Sequence, residues 1–516
     1  MNQNSRTKNS IINLIVTLGC QVLTLGLSFI VRTYFISFLG ADYLGINGLY
    51  SNILTVLSLA ELGIGSAIGF SLYKPVAFND KDKIAALMRF YRKAYLVIAL
   101  VVATVGLCLV PFLHSLIKTT QEIDHLVLYY LLFLANSVVS YLFAYKSTLL
   151  YVDQRNYVVK ITHTVFSLFS NAGQLAILFL TKSYISYLIV QVLCTFLNNV
   201  VISIVVDKNY KFLKGNKSKL SKEEQKGIFT NIKAMFVYKI GGVLVNNTDN
   251  ILISKIISTT AVGFYSNYTL VVNSVVNFLD LIIGSATGSI GNYNAQTDGK
   301  NSQKLFEAVS LFDYWIYGFS AVAFYSLLND FITIWMSTSK YLLDEKTLIA
   351  IVVNTFVMGI STSTATFRST TGLFRETKYV FAVTAVLNLF FSILLGIKIG
   401  LCGILFATSI SKLLTNFWFE PYKLYSKYFG MSCKTHFLKK GLITLLTVIS
   451  CVIIRFIFSF MPPVNKYIFI LEIIIVAIVP NVIFFIVYHK TEEFRFIVSK
   501  LKPFIEGKIN SVLKRK

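Results

Sequence analysis

Negative charge is scarce in this chain. Only 24 Asp and Glu stand against 48 Lys and Arg in 516 residues, and charged residues of both signs make up 14%. Histidine (5), tryptophan (3), cysteine (6) and proline (7) are rarer still. The few His are scattered and form no ligand set, and His163 has no partner at helical spacing and reads as a packed polar residue. Cys20, Cys108, Cys194, Cys402 and Cys451 fall in apolar runs and Cys433 in a basic loop, with no CxxC spacing. That excludes a disulfide framework and a zinc site. GxSxG, HExxH and GxGxxG in their proper contexts are missing, so soluble-enzyme chemistry has no footing here. Gly299-Lys-Asn-Ser302 looks like the end of a phosphate-binding loop, but Asn294 stands where that loop requires its first glycine. The expectation is a protein that is not an enzyme and uses no cofactor or metal.

What the chain has in quantity is apolar sequence, at 55% of residues. About 20 such residues cross a bilayer as a helix. Charged and turn-rich breaks cut the chain into fourteen segments of that size: 10–39, 43–72, 94–117, 126–147, 161–181, 185–206, 234–257, 263–290, 309–333, 347–368, 379–397, 402–419, 441–461 and 467–488. The first run is too long for a signal peptide and reads as a retained span. The expected fold is therefore an all-α integral membrane protein of about fourteen transmembrane helices. Two further stretches have one apolar face and one basic face: Ile84, Leu87, Met88 and Tyr91 beside Lys83, Arg89, Arg92 and Lys93, and Phe494, Ile497, Val498 and Leu501 beside Arg495, Lys500 and Lys502. Both suit helices lying in the membrane interface.

The net charge of +24 would suggest nucleic acid in a soluble protein. Here Lys and Arg sit between apolar runs and concentrate in alternate loops, so the expected partner is anionic membrane lipid and not nucleic acid. The alternation places both termini on the cytoplasmic side of a plasma membrane. Between the sixth and seventh segments Lys208, Lys211, Lys214, Lys217, Lys219, Lys222 and Lys226 mark a solvated linker. The expected organisation is a six-helix lobe at 1–206, a basic cytoplasmic linker at 207–230, a second six-helix lobe at 231–420, a basic loop with helices thirteen and fourteen at 421–488, and a basic cytoplasmic tail at 489–516.

A duplication underlies the two lobes. Glu61-Leu-Gly-Ile-Gly-Ser-Ala-Ile-Gly69 returns as Asp280-Leu-Ile-Ile-Gly-Ser-Ala-Thr-Gly288, with six of nine positions identical. Upstream, Leu39-Gly-Ala-Asp-Tyr-Leu-Gly45 corresponds to Ile257-Ser-Thr-Thr-Ala-Val-Gly263. Six spans per repeat return the chain to its starting side, which implies pseudo-two-fold symmetry along the membrane normal. Gly65 and Gly69, and Gly284 and Gly288, form Gly-xxx-Gly steps expected to hold close helix contacts.

Ionisable residues inside spans are costly and usually face a bundle interior or a water-filled cavity. Arg32, Lys239 and Lys412 are the basic candidates for a lumen. The seventh segment adds Asn246, Asp249 and Asn250, which share a helical face at i, i+3 and i+4. Arg32 and Asn250 are equivalent in the repeat, which sets a substrate site near the midplane. Glu61 and Asp280 are expected to balance these cations, pin the helices or take a coupling ion. Lys255, Arg368, Arg455 and Glu472 lie near enough to segment ends to snorkel, and Asp313 is a further acid within a span.

Phe38-Leu-Gly40 leading into Tyr43-Leu-Gly45, Glu61-Leu-Gly-Ile-Gly-Ser-Ala, Asn247-Thr-Asp-Asn-Ile-Leu-Ile-Ser254 and Ala261-Val-Gly-Phe-Tyr-Ser-Asn267 resemble bacterial polysaccharide flippases of the multidrug/oligosaccharidyl-lipid/polysaccharide exporter superfamily. The resemblance covers the first twelve segments and implies a V-shaped pair of bundles with alternating access. It implies a polyprenyl-diphosphate-linked saccharide as cargo, with a polysaccharide polymerase and assembly proteins as partners. Lumenal Arg and Lys would attract the diphosphate. A peptidoglycan-precursor flippase, a cation-coupled drug antiporter of the same superfamily and a non-transporting scaffold of polysaccharide assembly stay open as alternatives. The antiporter reading expects an acid in the first span, where this chain has Arg32.

Overall fold

In the computed structural model residues 3–61, 64–118, 123–216, 218–230, 232, 247–297 and 299–499 are described. Among them the chain is helical and contains no strand. In order come α1 (Gln3–Leu39), α2 (Ala41–Leu57), α3 (Ile64–Ala77), α4 (Lys81–Cys108), α5 (Leu126–Val152), α6 (Asn156–Thr181), α7 (Tyr184–Asn209) and α8 (222–230). There follow α9 (Asp249–Ile256), α10 (Thr259–Gln296), α11 (Gly299–Met336), α12 (Glu345–Gly359), α13 (Thr362–Thr370), α14 (Phe374–Ile399), α15 (Leu401–Leu414), α16 (Asn416–Lys423), α17 (Lys434–Phe458), α18 (Lys466–Tyr488) and α19 (492–499). The boundaries have local causes. Gly40 (φ +88) and Gly400 (φ +73) take a left-handed conformation that a side chain would resist, and this ends α1 and α14 abruptly. Asp80, Asp344 and Asn465 accept backbone N–H bonds that would otherwise be orphaned at the starts of α4, α12 and α18.

Twelve helical stretches among the described residues are long and apolar enough to cross a membrane. The expected second span is built from α2, a 3-10 turn at Ser58–Glu61 and α3. The carboxylate thus sits at a break in the helix. Most of the expected seventh span lies outside the described residues. Large apolar side chains face outward along the spans, as with Val386 (69% exposed), Ile397 (71%), Val452 (63%) and Phe456 (65%). Water would penalise such a surface, whereas hydrocarbon accepts it.

The chain forms two compact units, 1–266 and 267–516. The division falls inside α10, later than the linker that the sequence suggests as the boundary. In the first unit α5 packs on α4 and α7, and α6 packs on α1 and α7. Two of the tyrosines inside are anchored by their hydroxyls: Tyr50 donates to Leu126 O at 3.0 Å and Tyr130 to Gly106 O at 2.9 Å. The Gly106 carbonyl lies in the last turn of α4, where it would otherwise be short of an intrahelical donor, and each phenol gains an acceptor for its hydroxyl. In the second unit α11 is the central helix, contacted by α12, α13, α17 and α18, while α15 packs between α12 and α14.

Three expectations are corrected. Ile84, Leu87, Met88 and Tyr91 do not lie in a membrane interface: they are the buried face of the first turns of α4, each at most 4% exposed. Phe494 likewise turns onto protein, stacking with Trp315 at 6.0 Å and meeting Phe485 at 5.8 Å. The linker is not merely solvated. Ser221 and Glu224 form a reciprocal capping box that starts α8, Lys83 pairs with Glu224, and Asn216 donates to Asp82 at 2.7 Å. Leu220 and Ile228 are buried and Phe229 meets Phe90 at 5.7 Å, so α8 docks on the start of α4.

Candidate functional site

The repeated carboxylates share a chemical partner that the sequence motif does not contain. Glu61 Oε1 accepts from the Tyr95 hydroxyl on α4, and Asp280 Oδ1 accepts from the Tyr317 hydroxyl on α11 at 3.0 Å. Each repeat thus ties its second span to its third by a phenol–carboxylate bond. Around Glu61 the network continues from Tyr95 to Tyr91 (3.4 Å) and on to Thr148 of α5 (3.1 Å), with Tyr141 close by. Gly65 is what admits these phenols: a Cβ there would stand 3.2 Å from the Tyr91 oxygen and 3.3 Å from that of Tyr95. Gly69 meets Thr148 at an ordinary 3.6 Å. Gly284 breaks the expected symmetry, since none of the described residues comes within 4 Å of its Cβ position. Gly288 lies within α10.

A close backbone approach lies instead at the start of each second span, within the first unit. A Cβ on Gly45 would fall 1.9 Å from Thr259 O, and one on Gly263 would fall 2.3 Å from Ala41 O. Residues 41 and 45 correspond to 259 and 263 in the repeat, so the contact is reciprocal, as a two-fold requires. The Thr260 hydroxyl bonds Asp42, its own repeat equivalent. The corner leading into α10 is held by Thr259 N to Lys118 O (2.7 Å), Lys118 N to the Thr259 hydroxyl (3.1 Å) and Ser254 to Leu116 O (2.8 Å).

Of the expected lumenal set, Lys239 and Asn246 lie outside the described residues. Asp249 (8% exposed) and Asn250 open α9, which packs against α2 and the turn at Leu113–Leu116. Asn250 faces Gly48 of α2, its amide nitrogen 3.8 Å from the Gly48 Cβ position. Arg32 is half-buried on α1, near Tyr187, and its Nη1 is buried without a hydrogen-bond partner among the described residues. Lys412 is half-buried in the last turn of α15.

The second unit holds a charge cluster that hydropathy did not separate from its basic loops. Arg368 does not snorkel. It is 5% exposed, 3.4 Å from Glu420 and stacked over Phe381 at 4.8 Å. Glu472 is also buried, at 4%, whereas Arg455 is exposed and reaches Glu345 at 3.6 Å. Lys439 bridges Glu307 (2.7 Å) and Glu493 (2.6 Å), joining α11, α17 and α19. Glu493 lies beyond the last span; burial alone would raise its carboxyl, but the Lys439 ammonium holds it below the usual range. Asp313, Lys440 and His436 are buried between α11 and α17, with Tyr314 3.3 Å from the His436 ring nitrogen. Among the described residues no group of three or more His, Cys, Asp and Glu could hold a metal ion.

This architecture of apolar bundles with buried charges has known counterparts. A solved structure of the lipid II flippase MurJ in an inward closed conformation superimposes with a TM-score of 0.65 at 18% identity, covering 93% of this chain and 99% of that one. An inward-facing multidrug resistance MATE family transporter of the MOP superfamily gives 0.59 at 14% identity, covering 80% and 98%. The Vibrio cholerae MATE transporter VcmN gives 0.55 at 14%, covering 82% and 99%. At such identities the likeness establishes a shared fold, that of a multi-pass membrane protein. No curated protein sequence matches. A family model described as polysaccharide biosynthesis protein matches residues 10–287, more than half of the chain, and so the protein belongs to the polysaccharide biosynthesis protein family.

Proposed function

We propose that this protein moves an undecaprenyl-diphosphate-linked oligosaccharide repeat unit from the inner to the outer leaflet of the bacterial plasma membrane by alternating access, for surface or capsular polysaccharide export. Both termini would then be cytoplasmic, in keeping with the distribution of Lys and Arg. The reading takes its class from the polysaccharide biosynthesis family and from a fold shared with a protein named as a lipid II flippase. The observation that carries the cargo's chemistry is Arg32. A guanidinium inside the first span with a buried, unpartnered nitrogen is costly unless an anion meets it during the cycle. Its planar fork suits a diphosphate, while the prenyl chain stays in lipid. Arg32, Lys239 and Lys412, with Asn246, Asp249 and Asn250, form the proposed lumenal set, and Glu61 and Asp280 offset its positive charge.

The test is a deletion strain complemented with variants, in which lipid-linked saccharide and surface polysaccharide are both measured. Deletion should cause the lipid-linked repeat unit to accumulate inside. Arg32→Met should fail to restore export yet give wild-type amounts of folded protein, because removing an unpaired buried cation does not weaken the bundle. Accumulation of peptidoglycan precursor instead would assign the protein to cell-wall synthesis. Full export by Arg32→Ala would sink the lumenal-cation idea.

A further inference from the structure

We propose that Arg89, Arg92 and Lys93 of α4, with Lys226 of the docked linker helix α8, form a binding site for an anionic phospholipid on the lipid-facing edge of the first unit. In sequence α4 changes character at Ala94, where the apolar run of the third expected span begins, so the three α4 cations stand at headgroup depth. Their own helix fixes what lies beyond them. Arg89, Lys93, Leu96 and Leu100 follow at i, i+4, i+7 and i+11 and share one face. Leu96 (45% exposed) and Leu100 (67%) leave that face open to hydrocarbon, while Tyr91, Tyr95, Ile98 and Val102 turn into the bundle. Positive charge at the head of an exposed aliphatic strip complements a lipid phosphate at the head of an acyl chain.

The charge is free to meet such a phosphate. Arg92 and Lys93 are exposed and Arg89 is half-buried, and none of the three is paired with a carboxylate among the described residues. Neighbouring cations are already committed. Lys83 pairs with Glu224, and Lys146 of α5 pairs with Asp207 at 2.6 Å while donating to Ser203 at 2.6 Å. Asp82, two turns before Arg89 on the same side of α4, is occupied by Asn216 at 2.7 Å and Ser218 at 3.3 Å.

The linker helix supplies the second wall. Glu224 meets Lys83 and Phe229 meets Phe90 at 5.7 Å, so α8 runs alongside α4 in the same direction, about 7.5 Å of α8 matching about 10 Å of α4. The last turn of α8 therefore reaches the level of Phe90, which stands between Arg89 and Lys93 in the chain. Lys226 and Phe229 share a face of α8 at i and i+3, and both are exposed, Phe229 by 52% despite its contact with Phe90. Glu223, the exposed acid of α8, lies a turn further from the bilayer. An exposed aromatic ring beside cations at this depth is the pattern of a headgroup anchor. An acidic protein partner would leave the aliphatic strip from Leu96 to Leu100 unexplained, whereas a phospholipid uses both halves of the face.

The site stands independently of what the protein carries, and so does its test. Full-length protein in uncharged detergent is titrated with dioleoylphosphatidylglycerol or dioleoylphosphatidylcholine, and bound lipid is counted by native mass spectrometry. Wild type should take up phosphatidylglycerol in preference. The triple change Arg89→Gln, Arg92→Gln and Lys93→Gln should weaken that binding on the order of a hundredfold, about fivefold for each cation. Lys340→Gln, Lys346→Gln and Lys398→Gln together remove the same charge from other exposed positions and should leave the affinity within about twofold. Lys93→Gln and Lys226→Gln should each cost about fivefold, with Lys93→Arg restoring binding; these single variants carry the test if the triple variant fails to fold. Equal uptake of the two lipids, or a loss as large in the control triple, would overturn the proposal. So would displacement of the lipid by equimolar inorganic diphosphate, which marks a site for free anions, or preference of the same residues for undecaprenyl diphosphate, which would assign them to the cargo.

Discussion

Alanine at Gly45 or Gly263 tests the reciprocal contact between the two second spans. At Gly45 the new methyl group would sit 1.9 Å from Thr259 O, and ordinary contact begins at 3.4 Å, so the helix starts must separate by about 1.5 Å. At Gly263 the figures are 2.3 Å from Ala41 O and a retreat of about 1.1 Å. The obstacle in each case is backbone, which has no rotamer in which to escape. Overpacking of this kind costs about 1–3 kcal/mol for each single variant. Both variants push the same pair of helices apart, so the second should cost less once the first has opened the contact, with a coupling of about 0.5–3 kcal/mol in the double mutant. Gly284→Ala is the internal control. None of the described residues lies within 4 Å of its Cβ position, so it should stabilise by roughly 0.5–1 kcal/mol through helix propensity alone. Denaturant unfolding in detergent reads all four variants. Neutral behaviour of Gly45→Ala, or strictly additive costs in the double mutant, would refute the reciprocal contact.

Three further outcomes follow from named partners. Glu61→Gln keeps an acceptor for Tyr95 and should unfold like wild type, whereas Glu61→Ala orphans that hydroxyl and should cost about 1–3 kcal/mol in the same assay. Arg368→Ala and Glu420→Ala each leave a buried charge without its ion-pair partner and should each cost up to about 3–5 kcal/mol, while the double change Arg368→Met with Glu420→Leu should be close to neutral by comparative unfolding. Glu493 is held below its ordinary value of 4.5, so its pairing with Lys439 stabilises the fold above that pH and is lost as pH falls through the lower folded value. Glu493→Gln should therefore weaken the protein at neutral pH and lose its effect in acid, as seen by unfolding across a pH series.

The repeated Glu61 and Asp280 motifs can be read from sequence, but their tyrosine partners cannot, because helix packing rather than spacing brings Tyr95 and Tyr317 to them. Consecutive lysines make the same point. In sequence Lys439 and Lys440 are both members of a basic loop. On α17 they point in different directions, Lys439 toward two carboxylates and Lys440 into the interior. Arg368 looked close enough to a segment end to reach an interface, yet Glu420, fifty-odd positions later, holds it inside. The Gly-xxx-Gly steps promised equal contacts in both repeats. Among the described residues Gly65 has tight neighbours and Gly284 has none, while close backbone approaches are made by Gly45 and Gly263, which the sequence marks only as ends of matching segments.

The sequence by itself determined that the chain is helical, spans a membrane many times and is duplicated. These properties follow from local sums: twenty apolar residues suffice for one span, and in hydrocarbon the backbone must satisfy itself within each helix. Tertiary structure alone decided which charges are paired, which are stranded and where backbones touch. Such contacts depend on how each helix is rotated and what faces it, and two adjacent residues a hundred degrees apart on one helix can meet opposite fates.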